Sequence, residues 1–150
     1  MDLLSGNIGG TTFPNMKRGY FYSFSYLNIS KESKKPTVIN PILIFSAIDE
    51  NRRIHGLNLR ILRNHDIFLE DYTNFYFKNG TMNEMFTPEH PYAFSHRILK
   101  ALFKRNLDVL DAWKSYIPTF MKNIKDINIE EAKSQLSNDN KVHLNNMGVI

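Results

Sequence analysis

Gly19-Tyr20-Phe21-Tyr22-Ser23-Phe24-Ser25-Tyr26, Thr37-Val38-Ile39-Asn40-Pro41-Ile42-Leu43-Ile44-Phe45 and Ile54-His55-Gly56-Leu57-Asn58-Leu59-Arg60-Ile61-Leu62 are successive runs within residues 17–62, and their reading decides the fold. In the first, Tyr20, Tyr22, Phe24 and Tyr26 fall on one side, and Phe21, Ser23 and Ser25 on the other. Period two with aromatic enrichment predicts a strand with one face buried. The second run continues apolar and β-branched to Ile48, which suits a central strand covered on both faces. Pro41 cannot donate to a ladder, so it marks a bulge, an edge, or a strand that starts after it. In the third run His55, Leu57, Leu59 and Ile61 alternate with Ile54, Gly56, Asn58 and Arg60. Residues 28–36 and 49–53 are polar turns. Three strands joined this way make a meander, and a twisted meander of this size curls into a small barrel or half-barrel.

Past Arg63 the period changes. Ile67, Phe68, Leu69, Tyr72, Phe75 and Tyr76 have helical spacing, so a helix is expected over residues 66–78, with Asn64 or Asp66 at its start and Asn79-Gly80 at its end. A second helix is expected over residues 92–105, with Phe94, Ile98, Ala101 and Leu102 on its apolar face. A short third is expected over residues 107–116. Ile117-Pro118 breaks it, and the weak alternation of residues 121–127 suggests a last strand returning to the sheet. Asn128 with Glu131 has the form of a capped helix start. That helix is expected to be short, with residues 137–146 a polar, Asn-rich loose tail. The fold class is therefore α+β: a small twisted antiparallel sheet or half-barrel of SH3-like size, followed by a helical C-terminal half. Residues 1–16, rich in Gly, Ser, Thr and Asn, read as a flexible N-terminal arm. Residues 17–132 read as the single domain and residues 133–150 as a loose tail.

With 150 residues the chain has the length of one domain. Its 42% hydrophobic and 23% charged content argue against global disorder. The aromatic share of 13% suits a large core and also interfaces. A net charge of +4 is mild for a dedicated nucleic-acid binder. The absence of cysteine removes disulfides, thiolate nucleophiles and Cys-based zinc sites. No apolar run approaches the ~20 residues of a membrane helix, and the N-terminus lacks the form of a signal peptide.

No catalytic apparatus is spelled out. His55, His65, His90, His96 and His143 include no pair at the i, i+3 or i, i+4 spacing of helical metal ligands, so no metal site is expected. No nucleophile elbow, Walker sequence or dinucleotide fingerprint occurs, so no catalytic or cofactor-binding residue is expected either. His65-Asp66 could orient a proton transfer, but such a pair more often belongs to a helix start. Gly56, Leu57, Asn58 and Leu59 form a structural motif. A glycine inside a strand implies a bulge or a close backbone approach, and a buried Asn amide normally latches neighbouring backbone. Arg52, Arg53, Arg60, Arg63, Arg97, Lys100, Lys104 and Arg105 are candidate contacts to a partner or to phosphates.

The segments Gly19 to Tyr26, Pro36 to Phe45 and His55 to Leu62, together with Trp113-Lys114-Ser115-Tyr116-Ile117-Pro118 and Ile127-Asn128-Ile129-Glu130-Glu131-Ala132, resemble a family of small virion-associated structural proteins of tailed bacteriophages. The specific segment is Gly56-Leu57-Asn58-Leu59, within a likeness that covers residues 17–132. Arg60 and Ile61 stand where the family commonly has His and Tyr, and Ser33-Lys34-Lys35 replaces an acidic-aromatic turn. The resemblance implies a non-enzymatic structural component of the tail, baseplate or head–tail connector. The expected adaptor, assembled in the host cytoplasm, acts through protein–protein contacts and ordered N- and C-terminal arms that wrap its neighbours. Its partners would be other virion proteins in a symmetric assembly, with no cofactor and no membrane. The alternative is a virion DNA-binding protein that holds or protects genome ends through the basic residues.

Overall fold

The computed structural model describes residues 7–8, 11–12, 16–29, 36–78, 81–83, 87, 89–103 and 109–146. Two-residue strands β1 (Asn7–Ile8) and β2 (Thr11–Thr12) pair with each other. The main sheet starts with β3 (Phe21–Ile29), β4 (Pro36–Ile39), β5 (Ile42–Ile48) and β6 (Ile54–Asn58). Helix α1 (His65–Tyr76) follows, then the small pair β7 (Phe77–Lys78) and β8 (Thr81–Met82). Next come α2 (His96–Leu102), β9 (Trp113–Tyr116), a 3₁₀ turn (Pro118–Phe120), β10 (Met121–Ile127) and α3 (Ile129–Asn146). The sheet order is β10-β3-β5-β6-β9, antiparallel throughout, with β4 also on β3.

The long β3 explains Pro41. Ser23 lies opposite Ile42 in β5, and Tyr26 lies opposite Ile39 in β4, so one register runs through both. The ladder lapses only at Asn40-Pro41, where proline has no N–H to give, and β5 begins directly after it. There is no bulge at that point. The Ser25 hydroxyl donates to the Asn40 side-chain carbonyl at 3.2 Å across the gap.

Both faces of the sheet are buried. On one, Phe21, Ile42, Ile44, Leu57 and Leu59 pack with Phe68, Leu69, Tyr72 and Tyr76 of α1, Phe94 and Leu99 from the α2 region, and Ala132 and Leu136 of α3. On the other, Met16, Tyr22, Phe24, Tyr26, Leu43, Phe45, Ile54, Tyr116 and Met121 pack with one another. No helix contributes to this second cluster among the described residues, so the sheet itself must close over it. Tyr26 and Tyr116 measure the closure. On a flat sheet three strand steps would separate them by about 14 Å, but their ring centroids are 4.9 Å apart. Tyr116 also meets Phe24 at 5.2 Å, and the Tyr26 hydroxyl accepts the Ile117 amide at 3.0 Å. The fold is α+β, with a curled antiparallel half-barrel.

Two bulges make the curl possible. In β5 the register against β6 shifts between Phe45 and Ala47, and in β10 the register against β3 shifts between Lys122 and Lys125. An extra residue reverses side-chain parity and sharpens local twist. Met121 therefore enters the inner cluster and Ile127 the helix-side cluster, although six residues separate them. The weak alternation of this run is that parity change. Asn123 takes φ 57 within it, a conformation that Asn tolerates better than most residues.

Several expectations are corrected. Met16, assigned to the arm, is fully buried in the inner cluster. Residues 113–116 form β9 on the open edge of β6, where helical spacing suggested a helix; β-sheet pairing overrides a short local pattern. Helix α2 starts at His96, four residues later than expected, because the Ser95 hydroxyl caps it by accepting the Ile98 amide at 3.3 Å. Helix α1 has Asn64 at its N-cap without a side-chain bond, and Asn79-Gly80 lie outside the described residues. Helix α3 does not end early: it runs for 18 residues, through the stretch assigned to the tail. The Asn128 side chain accepts the Glu131 amide at 2.8 Å, and Ala132 and Leu136, one helical repeat apart, are buried. Farther along, Asp139 meets Arg60.

Candidate functional site

Gly56 stands opposite Phe45 at the β5 bulge. A Cβ there would lie 2.3 Å from the Ile44 carbonyl oxygen and 2.8 Å from Leu43 Cδ1, so only glycine fits. Asn58, 5% exposed, closes the strand. Its side-chain carbonyl accepts the Arg60 amide at 3.1 Å, and its backbone N–H donates to Ala112 at 2.9 Å. Burial pushes the Tyr116 hydroxyl well above its ordinary pKa, and a hydrogen bond from Asn58 partly opposes that shift. Leu57 and Leu59 point into the helix-side core. The motif thus holds β6 to both layers and brings no reactive group to the surface.

Arg52 and Arg53 are exposed in the β5–β6 turn, while Arg60 follows the far end of β6. A five-residue strand puts about 17 Å between them. Asp49 builds the turn: one carboxylate oxygen accepts the Asn51 and Arg53 amides at 2.8 and 3.0 Å, and the other meets His55 Nε2 at 2.6 Å. These bonds, His55 first, hold the Asp49 carboxyl below the usual carboxylate range. Arg60 donates from Nε to Asp139 at 2.8 Å and from a terminal nitrogen to the Asn40 carbonyl. It is committed to joining α3 to the entrance of β5. Arg63 is exposed, and Arg97 and Lys100 are exposed on α2. Lys104 and Arg105 lie outside the described residues.

His65 is buried at the start of α1, with Nε2 3.3 Å from an Asp66 oxygen but without a hydrogen-bond partner. Asp66 itself is 82% exposed, so the pair lacks the aligned bond of an orienting dyad. A groove of about 650 Å³ opens beside β3, β10 and α3, walled by Ser23, Ser25, Asn40, Arg60, Asn123 and Gln135. Among the described residues that line it there is no histidine or carboxylate to act as a base. No group of three or more potential metal ligands occurs among the described residues, and none of their helices is long and apolar enough to cross a membrane.

The feature that sequence reasoning missed is β4. Residues 37–48 were read as a doubly covered run, with an edge at Pro41 or a strand starting after it left open, yet all of β4 is exposed. Val38 is 65% exposed, and Ile39 and Leu27 are 37% exposed. β3 pairs with β10 only as far as Tyr26 and with β5 only from Phe21 to Ser23. Its last residues pair with β4 alone. The ribbon projects past the sheet, with apolar side chains in solvent and the outer edges of both its strands unpaired among the described residues. Pro41 was the available signal, because it separates the covered part of the run from the exposed part.

Comparison with family models, with curated proteins and with solved structures finds no match.

Proposed function

We propose that this protein is a non-enzymatic structural adaptor of a tailed-phage virion, in the tail, baseplate or head–tail connector. It works by protein–protein contact. The observation that carries the docking role is the projecting β3–β4 ribbon. Exposed Val38, Ile39 and Leu27 lose little and gain burial when a neighbour covers them. The open edge of β4 offers backbone N–H and C=O groups for strand addition. The assignment to a phage particle rests on the likeness of the three strand runs, above all Gly56-Leu57-Asn58-Leu59. A small rigid half-barrel with one protruding ribbon suits a subunit that bridges neighbours.

Purified particles from cells carrying a Val38→Asp, Ile39→Asp gene are the test. Particles should lack the protein or remain incomplete, while the isolated variant keeps the melting temperature of the parent. Normal incorporation of the variant, or absence of the parent protein from mature particles, overturns the reading. The DNA-binding alternative needs one continuous basic face. Arg52 and Arg53 at one end of β6 and an ion-paired Arg60 at the other give it little support.

A further inference from the structure

We propose that the cavity between residues 17–20, which lead into β3, and residues 89–98, which lead into α2, is an oxyanion site that takes a phosphate group. The site is independent of the docking ribbon. The cavity measures about 300 Å³, and Arg18, His90, Ser95 and Arg97 are among the residues that line it. Gly19 fixes one side of it. With φ 84 it turns the chain, its N–H donates to Phe45 at 2.7 Å, and its carbonyl accepts the Tyr72 hydroxyl. Arg18 is thereby placed on a rigid corner. The Ser46 hydroxyl, donating to the Phe94 carbonyl at 3.0 Å, fixes the opposite side.

The hydrogen bonds already made there leave several donors for a ligand. His90 Nδ1 accepts the Tyr92 amide at 3.1 Å, so the ring proton sits on Nε2. The Ser95 oxygen accepts the Ile98 amide, which leaves its O–H free to donate. The two guanidiniums are donors by nature. Arg18 Nε is shut off from solvent without a hydrogen-bond partner, so Arg18 can meet a ligand only through its terminal nitrogens. Burial lowers the Arg18 pKa, and the nearby charge of Glu89 opposes that shift. Glu89 is not part of the lining, and Arg18 forms no ion pair among the described residues.

A site made of two guanidiniums, an imidazole N–H and a hydroxyl asks for a ligand that is anionic and rich in acceptors. A carboxylate offers two oxygens in one plane and is satisfied by a single guanidinium fork. A phosphate group offers three or four oxygens in a tetrahedral array, which matches donors arriving from separate chain segments. The group can belong to free phosphate or to a nucleic-acid backbone, and the test separates these sources.

Thermal unfolding with inorganic phosphate, at ionic strength held constant with sodium chloride, gives the first readout. A saturable rise in melting temperature is expected. Arg97→Gln, an exposed change that leaves the fold intact, should weaken the apparent affinity about tenfold, as should Arg18→Gln. Lys100→Gln, on the same helix but outside the cavity, should leave it unchanged. A short single-stranded oligonucleotide that competes with phosphate, and loses affinity in Arg97→Gln, identifies a backbone phosphate as the ligand; no competition identifies the free ion. No phosphate-specific rise in the parent, or an equal rise in Arg97→Gln, overturns the proposal.

Discussion

Phe21 and Tyr22 are neighbours in the chain and each is 2% exposed, but they are buried by different means. Phe21 faces the helices and meets Tyr72 of α1 edge-on at 5.6 Å. Tyr22 faces the other way and meets Phe45 of its own sheet at 6.5 Å. The first face is covered by separate elements laid on it. The second is covered only because the sheet bends until Tyr116 reaches Tyr26. A helix-covered face needs an apolar stripe and a partner stripe. A self-covered face also needs backbone irregularities at defined places, and a few residues carry that requirement alone.

The sharpest way to break the comparison is Gly56→Ala. The added methyl would meet the Ile44 carbonyl, which cannot swing aside as a side chain can. A loss of about 3 kcal/mol or more is expected, read by denaturant unfolding, with the inner cluster disrupted first. If the variant keeps native stability, the bulge does not set the curl. Next comes Asn58→Ala, which strips the Arg60 amide and the Tyr116 hydroxyl of a partner. About 1–3 kcal/mol should be lost in the same experiment. A negligible loss would assign the junction of β6 to its leucines.

Smaller effects lie in the β5–β6 turn. Arg52 adopts φ 62, a left-handed conformation that favours glycine, so Arg52→Gly should gain about 0.5–1 kcal/mol in stability. The same change deletes a candidate partner contact, so thermal stability and partner binding should separate in this variant. Asp49 gives a pH effect of defined sign. Its folded pKa lies below the ordinary value of about 3.9. Its contribution is therefore complete above that value and is lost as pH falls through the folded pKa. Melting temperature below about pH 4 should fall more steeply in the parent than in Asp49→Asn, which cannot titrate. Parallel curves would show that the turn contributes nothing to acid stability.

Much of the fold could be read from local patterns. The alternation of residues 19–27 placed Tyr22, Phe24 and Tyr26 together and Phe21 apart, and they enter separate clusters. The helical spacing of residues 66–78 located α1 to within two residues at each end. The apolar run after Pro41 is the central strand, with Ile42 to Phe45 fully buried. Glycine in the third strand implied a bulge or close approach, and both occur there. The readings that failed needed information from elsewhere in the chain. β9 depends on the free edge of β6, and the later part of α3 meets Arg60, 79 residues away, through Asp139. Burial of Met16, which lies outside any strand, depends on a cluster drawn from five strands. Of the candidate site residues, the Gly56–Leu59 motif was visible because glycine and buried asparagine carry local rules. The exposed face of β4 was not, because Val38 and Ile39 have the composition of a core.

The sequence by itself determined the strands that hold residues 21–27, 42–48 and 54–58, which face each side chain takes between irregularities, and where glycine is obligatory. These follow from side-chain volume, proline's missing N–H and the two-residue period of a strand. Only the tertiary structure decided that the sheet curls on itself, that β4 projects beyond it, and that Arg18, His90 and Arg97 share one cavity. Those outcomes depend on contacts between segments tens of residues apart. Periodicity within a strand carries no record of such contacts.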